Sequence, residues 1–167
     1  RSYSSAASDV YKRQYKYKAE NLATRLKSIS FNVGRTGAIT PVANLEPVLI
    51  SGSTVKRASL HSYDQMIKLK LRVNDYVFVE KGGEIIPKIT GIDEERRGSL
   101  EDEIIFPVIC PECNRKLEKL ESEANYFCIN YIDCRPQAIG RIQHFVSRKA
   151  MNIDGLGDET IRLFYDL

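Results

Sequence analysis

No apolar run in the sequence approaches the roughly 20 residues that a membrane-spanning helix needs, so no such segment is expected. There is no internal repeat and no long low-complexity tract. Histidine is scarce: His61 and His144 stand alone, far in sequence from any candidate nucleophile, and both read as structural or surface residues. No signal peptide is visible, and the expectation is a soluble, cytoplasmic, monomeric protein. Cysteine is limited to four residues. The surrounding sequence carries enough Val, Ile and Leu to fold without disulfide staples. The formal net charge of +3 decides nothing about a nucleic-acid partner, but its distribution is uneven. Residues 1–31 carry seven Lys/Arg against two acids, and residues 91–123 carry ten acids against five bases. Residues 135–150 carry four bases and no acid, so separate modules with different faces are expected.

What cysteine there is falls in one constellation. Cys110 and Cys113 form a C-x2-C pair, and Cys128 and Cys134 follow across a short connection. Two such pairs returning over a hairpin suit tetrahedral Zn²⁺. Two disulfides are the alternative, disfavoured by the reasons above. A redox role for Cys110 and Cys113 would leave the other two unexplained. Four thiolates also close a zinc site, so the metal is expected to hold a joint together and to do no chemistry.

The remaining chain reads as modules around that joint. Residues 1–14 show no periodicity and are set aside as a non-native or disordered tail. Ile29, Phe31 and Val33 alternate with Ser30 and Asn32, the period of a half-buried strand. A turn at Gly34–Gly37, an extended run over 38–50 and another over 54–60 follow, with Pro41 and Pro47 implying an edge or bends. Ser62 to Gln65 is a capping-box pattern opening a short helix. Residues 76–79 give a fourth strand, 81–84 a hairpin turn and 85–92 a fifth strand. Three strands, a helix and two strands is the order of an OB-fold, a small barrel that binds oligonucleotides. The expected division is an OB-fold over 15–92, a linker over 93–104, a four-cysteine zinc finger over 105–136 with hairpin arms at 116–120 and 124–127, and a truncated helix-hairpin-helix segment over 137–167. The fold class is thus multi-module: an all-β barrel with one short helix, a zinc finger and an α-helical segment.

Two loops suit phosphate. Gly155 and Gly157 flank Leu156 between two expected helices, where a bare backbone and a helix N-terminus can approach an anion. Arg35 and Thr36 sit between glycines on a thin loop from which a guanidinium can reach a phosphate or a groove. A plain capped turn and a solvated charge are the bland alternatives. The all-basic helix over 135–150 and the coexistence of three nucleic-acid-associated modules favour contact with DNA.

Several stretches carry a family resemblance: YKYKAE at 15–20, VGRTGAITPV at 33–42, RASLH at 57–61, GGEIIP at 82–87, the cysteine quartet, and RKAMNIDGLG at 148–157. From Tyr15 to Leu167 the chain resembles bacterial NAD⁺-dependent DNA ligase. The resemblance implies an enzyme in which a lysine takes AMP from NAD⁺, with Mg²⁺ as a further cofactor, and passes it to a 5′-phosphate at a nick in double-stranded DNA. It implies that Lys16 is catalytic and contacts the AMP phosphate. It also implies that Cys110, Cys113, Cys128 and Cys134 bind zinc, and that Arg35, Thr36, Gly155 and Gly157 meet DNA. The K-x-D-G nucleophile of the family is absent, as is the tryptophan-containing strand that precedes the Lys16 motif; the sequence has no Trp. The expectation is therefore a ligase fragment, inactive without its missing adenylation domain. A free-standing OB-fold and zinc protein that binds nucleic acid without catalysis is the alternative.

Overall fold

A computed structural model describes residues 20–81, 86–98, 103–121 and 123–167. Its larger body is a closed five-stranded barrel in the order β1-β2-β3-β5-β4, with β1 at Glu20–Val33, β2 at Ile39–Ile50, β3 at Ser53–Ser59, β4 at Tyr76–Lys81 and β5 at Lys88–Ile92. This is the OB-fold the element order implied. β1 serves two neighbours: Leu26–Val33 pair with β2, and Glu20–Arg25 pair with β4. The strand changes partner at a register shift between Leu26 and Ser28, where a bulge bends it around the barrel. The sequence reading found only the second half of β1, because Thr24 interrupts the apolar alternation. Thr24 is nonetheless buried, and its hydroxyl donates to the Glu46 carbonyl at 2.8 Å.

Along β2, Ile39, Pro41, Ala43 and Leu45 alternate inward. Pro47 falls within the register shift between Asn44 and Val48, so it bends the strand where no ladder bond is required of it. Ser62 caps helix α1 (Tyr63–Leu69) by accepting from the Gln65 N–H at 3.3 Å, which turns Met66 into the core. Residues 82–85, which include most of the expected β4–β5 turn, lie outside the described residues.

Of the acidic stretch after β5, expected as a linker, the described residue Arg97 is bound to the barrel. Arg97 grips the buried Asp75 through Nε–Oδ1 at 3.1 Å and Nη2–Oδ2 at 2.8 Å, and it also reaches the Lys70 carbonyl. Phe106 then joins Phe31, Tyr63 and Tyr126 in an aromatic cluster with ring centroids 4.8–5.2 Å apart. That cluster carries the barrel core directly into the cysteine module, whose Cys110, Leu117, Cys128 and Cys134 belong to the same buried assembly. A two-stranded hairpin, β6 (Leu117–Lys119) and β7 (Tyr126–Cys128), builds the module. Helices α2 (Arg135–Val146) and α3 (Asp158–Asp166) follow and share a small core of Ile139, Val146 and Ile161, with Leu156 against it. Among the described residues no helix is long and apolar enough to cross a membrane.

Candidate metal centre and nucleic-acid interface

A tight turn aims the first two thiols. The Cys110 N–H donates to the Arg115 carbonyl at 2.7 Å, and the Asn114 N–H donates to the Cys110 carbonyl at 3.0 Å, with Asn114 at φ 58°. Cys128 ends β7 opposite Leu117, and a second turn, closed by the Cys134 N–H on the Asn130 carbonyl at 3.1 Å, delivers the fourth thiol. All four Sγ atoms lie within 4.8 Å of one another. Cys113 and Cys128 are 3.4 Å apart and Cys110 and Cys134 4.0 Å. A disulfide would need about 2.05 Å. Four sulfurs about 2.3 Å from a zinc ion form a tetrahedron with edges of roughly 3.8 Å, which these separations match.

The protonation chemistry agrees. Burial opposes ionisation of Cys113, but hydrogen bonds from the Arg115 N–H and from Cys128, Asn130 and Cys110 overcome it and bring the thiol down to about 7. Burial pushes Cys134 up to about 11 and raises Cys128 as well, with the neighbouring thiols adding to the rise at Cys128. Four thiolates cannot be packed this closely without a cation to balance them. The donor set fits a structural Zn²⁺ with no open coordination position.

The centre abuts the Arg35 loop. In Gly34–Gly37 the Gly37 N–H donates to the Gly34 carbonyl and the Gly34 N–H to the Ala38 carbonyl, both at 2.9 Å. The Cys128 N–H then donates to the Gly37 carbonyl at 2.9 Å, and Ala38 bridges Phe127, so a cysteine of the metal site is bonded to the barrel loop. Gly37 has φ +86°, and a Cβ there would stand 2.4 Å from the Cys128 carbonyl oxygen, so glycine is required twice over. Helix α2 starts from Cys134, whose carbonyl accepts from the N–H groups of Gln137 and Ala138. It crosses the loop at Gly140, where a Cβ would lie 3.2 Å from the Arg35 Cβ.

This meeting point is basic. Arg35, Arg57, Arg135 and Arg162 line an open groove of about 670 Å³, in which Glu112 is the one acid among the described residues. Arg135 is committed to Asp166 through a two-pronged pair, Nε–Oδ1 at 3.0 Å and Nη2–Oδ2 at 2.6 Å. Arg35, Arg57 and Arg162 have no carboxylate partner among the described residues. On the other side of the loop, Arg35 and Thr36 share a second groove with Arg141 and His144, and the Arg141 guanidinium stands 5.9 Å from the Tyr131 ring centroid. Of the expected DNA-facing residues, Arg35 and Thr36 are therefore exposed and set among arginines.

Gly155 and Gly157, between α2 and α3, line neither of these grooves. Gly155 has φ +84°, and beyond the chain neighbours nothing among the described residues lies within 4 Å of where either glycine's Cβ would be. The N–H groups of Gly155, Leu156 and Gly157 have no acceptor among the described residues. Asp158 and Glu159 occupy the first turn of α3, so a phosphate here would be met by loop N–H groups beside two carboxylates. Lys16 lies outside the described residues. The His61 main-chain N–H donates to Ser59 Oγ at 3.0 Å.

Sequence reasoning missed Gln137, which is 1% exposed; its Nε2 donates to the Cys128 carbonyl at 3.0 Å and its carboxamide lies over Gly37. Its position three residues past the last cysteine, on a helix that the metal site starts, was the available signal.

Comparison with known proteins is consistent with each module. Residues 23–101 match the family model of the NAD-dependent DNA ligase OB-fold domain, and residues 110–135 match that of the NAD-dependent DNA ligase C4 zinc finger domain. The chain is 61% identical over 152 residues to a DNA ligase of Flavobacterium psychrophilum, an alignment covering 91% of this chain and 23% of that protein. It is 58% identical to a DNA ligase of Flavobacterium johnsoniae and 55% identical to one of Phocaeicola vulgatus, each over 90% of this chain and 23% of the relative. The chain thus spans about a quarter of the length of these relatives. A closed OB barrel and a four-thiol zinc site, joined in the order of both matched domains, place the chain in the NAD-dependent DNA ligase family.

Proposed function

We propose that the chain is the DNA-gripping middle of a longer enzyme that seals nicks in duplex DNA. In that enzyme a lysine outside this chain attacks NAD⁺ and takes its AMP, releasing nicotinamide mononucleotide. The AMP passes to the 5′-phosphate of the nick, and the 3′-hydroxyl displaces it to close the strand. Lys16, through its sequence motif, is assigned to the AMP phosphate, where a positioned cation stabilises charge that develops during transfer. Cys110, Cys113, Cys128 and Cys134 would hold Zn²⁺, which when bound cross-links the hairpin to the start of α2. Arg35 and Thr36, with Gly155 and Gly157, would contact the duplex through its phosphates.

The observation that carries this reading is the groove where the Gly34–Gly37 loop, the metal centre and α2 converge. It presents Arg35, Arg57 and Arg162, which have no carboxylate partner among the described residues, where the loop is bonded to the metal centre. Phosphate contact positions a protein without reading bases, which is what a nick in arbitrary sequence demands. The test is a titration of nicked duplex with the zinc-loaded chain across a range of salt. Affinity should fall linearly on a log–log plot and vary little with sequence. Arg35→Ala should weaken binding about tenfold and reduce the salt slope by about one. Salt-independent binding, or an unchanged slope in Arg35→Ala, would remove the groove from DNA recognition.

A further inference from the structure

We infer that Gln137 is a positioning residue that carries the geometry of the metal centre to the Arg35–Thr36 loop. The inference rests on the reading of that loop as a DNA contact. Gln137 is the only buried polar side chain that α2 presents among the described residues. It touches the centre at two places: its main-chain N–H donates to the Cys134 carbonyl at 2.9 Å, and its Nε2 donates to the Cys128 carbonyl at 3.0 Å. Nε2 also reaches the Asn130 carbonyl at 3.5 Å, in the turn that leads to Cys134. One residue thus spans the two cysteines that come last in the chain, its main-chain N–H on Cys134 and its side-chain amide on Cys128.

The other end of the relay is Gly37. A Cβ built on Gly37 would meet Gln137 Oε1 at 3.1 Å and Cδ at 3.3 Å, so the carboxamide borders the space that a side chain at Gly37 would fill. The Gly37 carbonyl also accepts from the Cys128 N–H at 2.9 Å. The loop that carries Arg35 is therefore enclosed by Cys128, by Gln137, and by α2 at Gly140. Hydrogen-bonding partners behind metal ligands orient those ligands, and here the same partner also bears on the functional loop. With the thiols gathered on zinc, the Cys128 peptide is fixed, Gln137 is fixed on it, and Arg35 is presented to the groove. With the thiols released, the amide loses its anchor and the loop loses one wall.

The test is a double-mutant cycle on the zinc-loaded 167-residue chain, read as affinity for nicked duplex. Gln137→Met keeps the side-chain length and removes the amide. It should retain one zinc per chain and the wild-type near-ultraviolet circular dichroism, yet weaken nicked-duplex binding about tenfold. In an Arg35→Ala background, Gln137→Met should then cause no further loss. If its factor multiplies with that of Arg35→Ala, Gln137 acts independently and the relay is overturned. Loss of zinc in Gln137→Met would make the residue a support of the metal alone, which also overturns it. Full affinity in Gln137→Met does the same. Arg35→Ala without effect would remove the DNA reading of the loop and this inference together. Should Gln137→Met fail to fold, Gln137→Leu is read on the same cycle, with the same outcomes deciding.

Discussion

Alanine at Gly37 tests the joint between barrel and metal centre through a single methyl group. Two effects add. A non-glycine residue in the left-handed region costs about 1–2 kcal/mol, and Gly37 stands at φ +86°. The new Cβ would also stand 2.4 Å from the Cys128 carbonyl, a backbone atom that cannot rotate away. Relief requires the hairpin to move off the loop, which breaks the 2.9 Å bond from the Cys128 N–H to the Gly37 carbonyl. Leaving those buried groups unpaired costs about 1–3 kcal/mol. The sum is a destabilisation of about 2–5 kcal/mol. Gly52, in the β2–β3 turn of the same barrel, is the control: it has φ +73° and open space where its Cβ would go. Gly52→Ala should cost only the backbone part, about 1–2 kcal/mol. Urea unfolding of both variants with saturating zinc reads the difference directly. Equal midpoints for the two variants would show that the hairpin does not press on the loop and would refute the reasoning.

Three further outcomes are expected. Arg97→Ala leaves the buried Asp75 without its guanidinium and should cost about 3 kcal/mol in urea unfolding, with partial recovery in Arg97→Ala/Asp75→Asn. Chelating the zinc, or Cys128→Ser, should lower metal content and open residues 105–136 to limited proteolysis; an unchanged digestion pattern would detach the metal from the order of the module. Lys16→Ala in the longer parent should slow nucleotidyl transfer, measured as AMP adduct by mass, while leaving affinity for nicked duplex near wild type. Unchanged transfer would take Lys16 out of the chemistry.

The parts legible in the sequence were those with local signatures. The cysteine spacing announces its turns, and strand alternation with glycine breaks announces the barrel order. The capping box at Ser62 is a contact between residues three apart. What escaped depends on partners far along the chain. Thr24 is inward-facing because Glu46, 22 residues away, accepts its hydroxyl. Residues 93–104 look like a solvated linker by charge, yet Arg97 is drawn down by Asp75, 22 residues away in the chain; just beyond them Phe106 enters a cluster with Phe31 and Tyr63. Gly37 reads as one more turn glycine until Cys128 is placed against it. Gln137 looks like a polar residue on a basic helix, and its role exists only because the metal centre and the barrel loop converge on one point of α2. The groove is a product of that convergence, since Arg35, Arg57 and Arg162 come from three elements with no common local pattern.

The central claim, that duplex DNA lies along the surface where loop, metal centre and α2 meet, is tested most directly by hydrogen–deuterium exchange. The zinc-loaded chain is compared with and without a nicked duplex at low salt. Exchange should slow at residues 34–37, across 137–143 and in the 153–157 loop, and Arg35→Ala should diminish the first of these. Protection confined to the exposed apolar edge at 103–109, with residues 34–37 exchanging as in the free protein, would contradict the account.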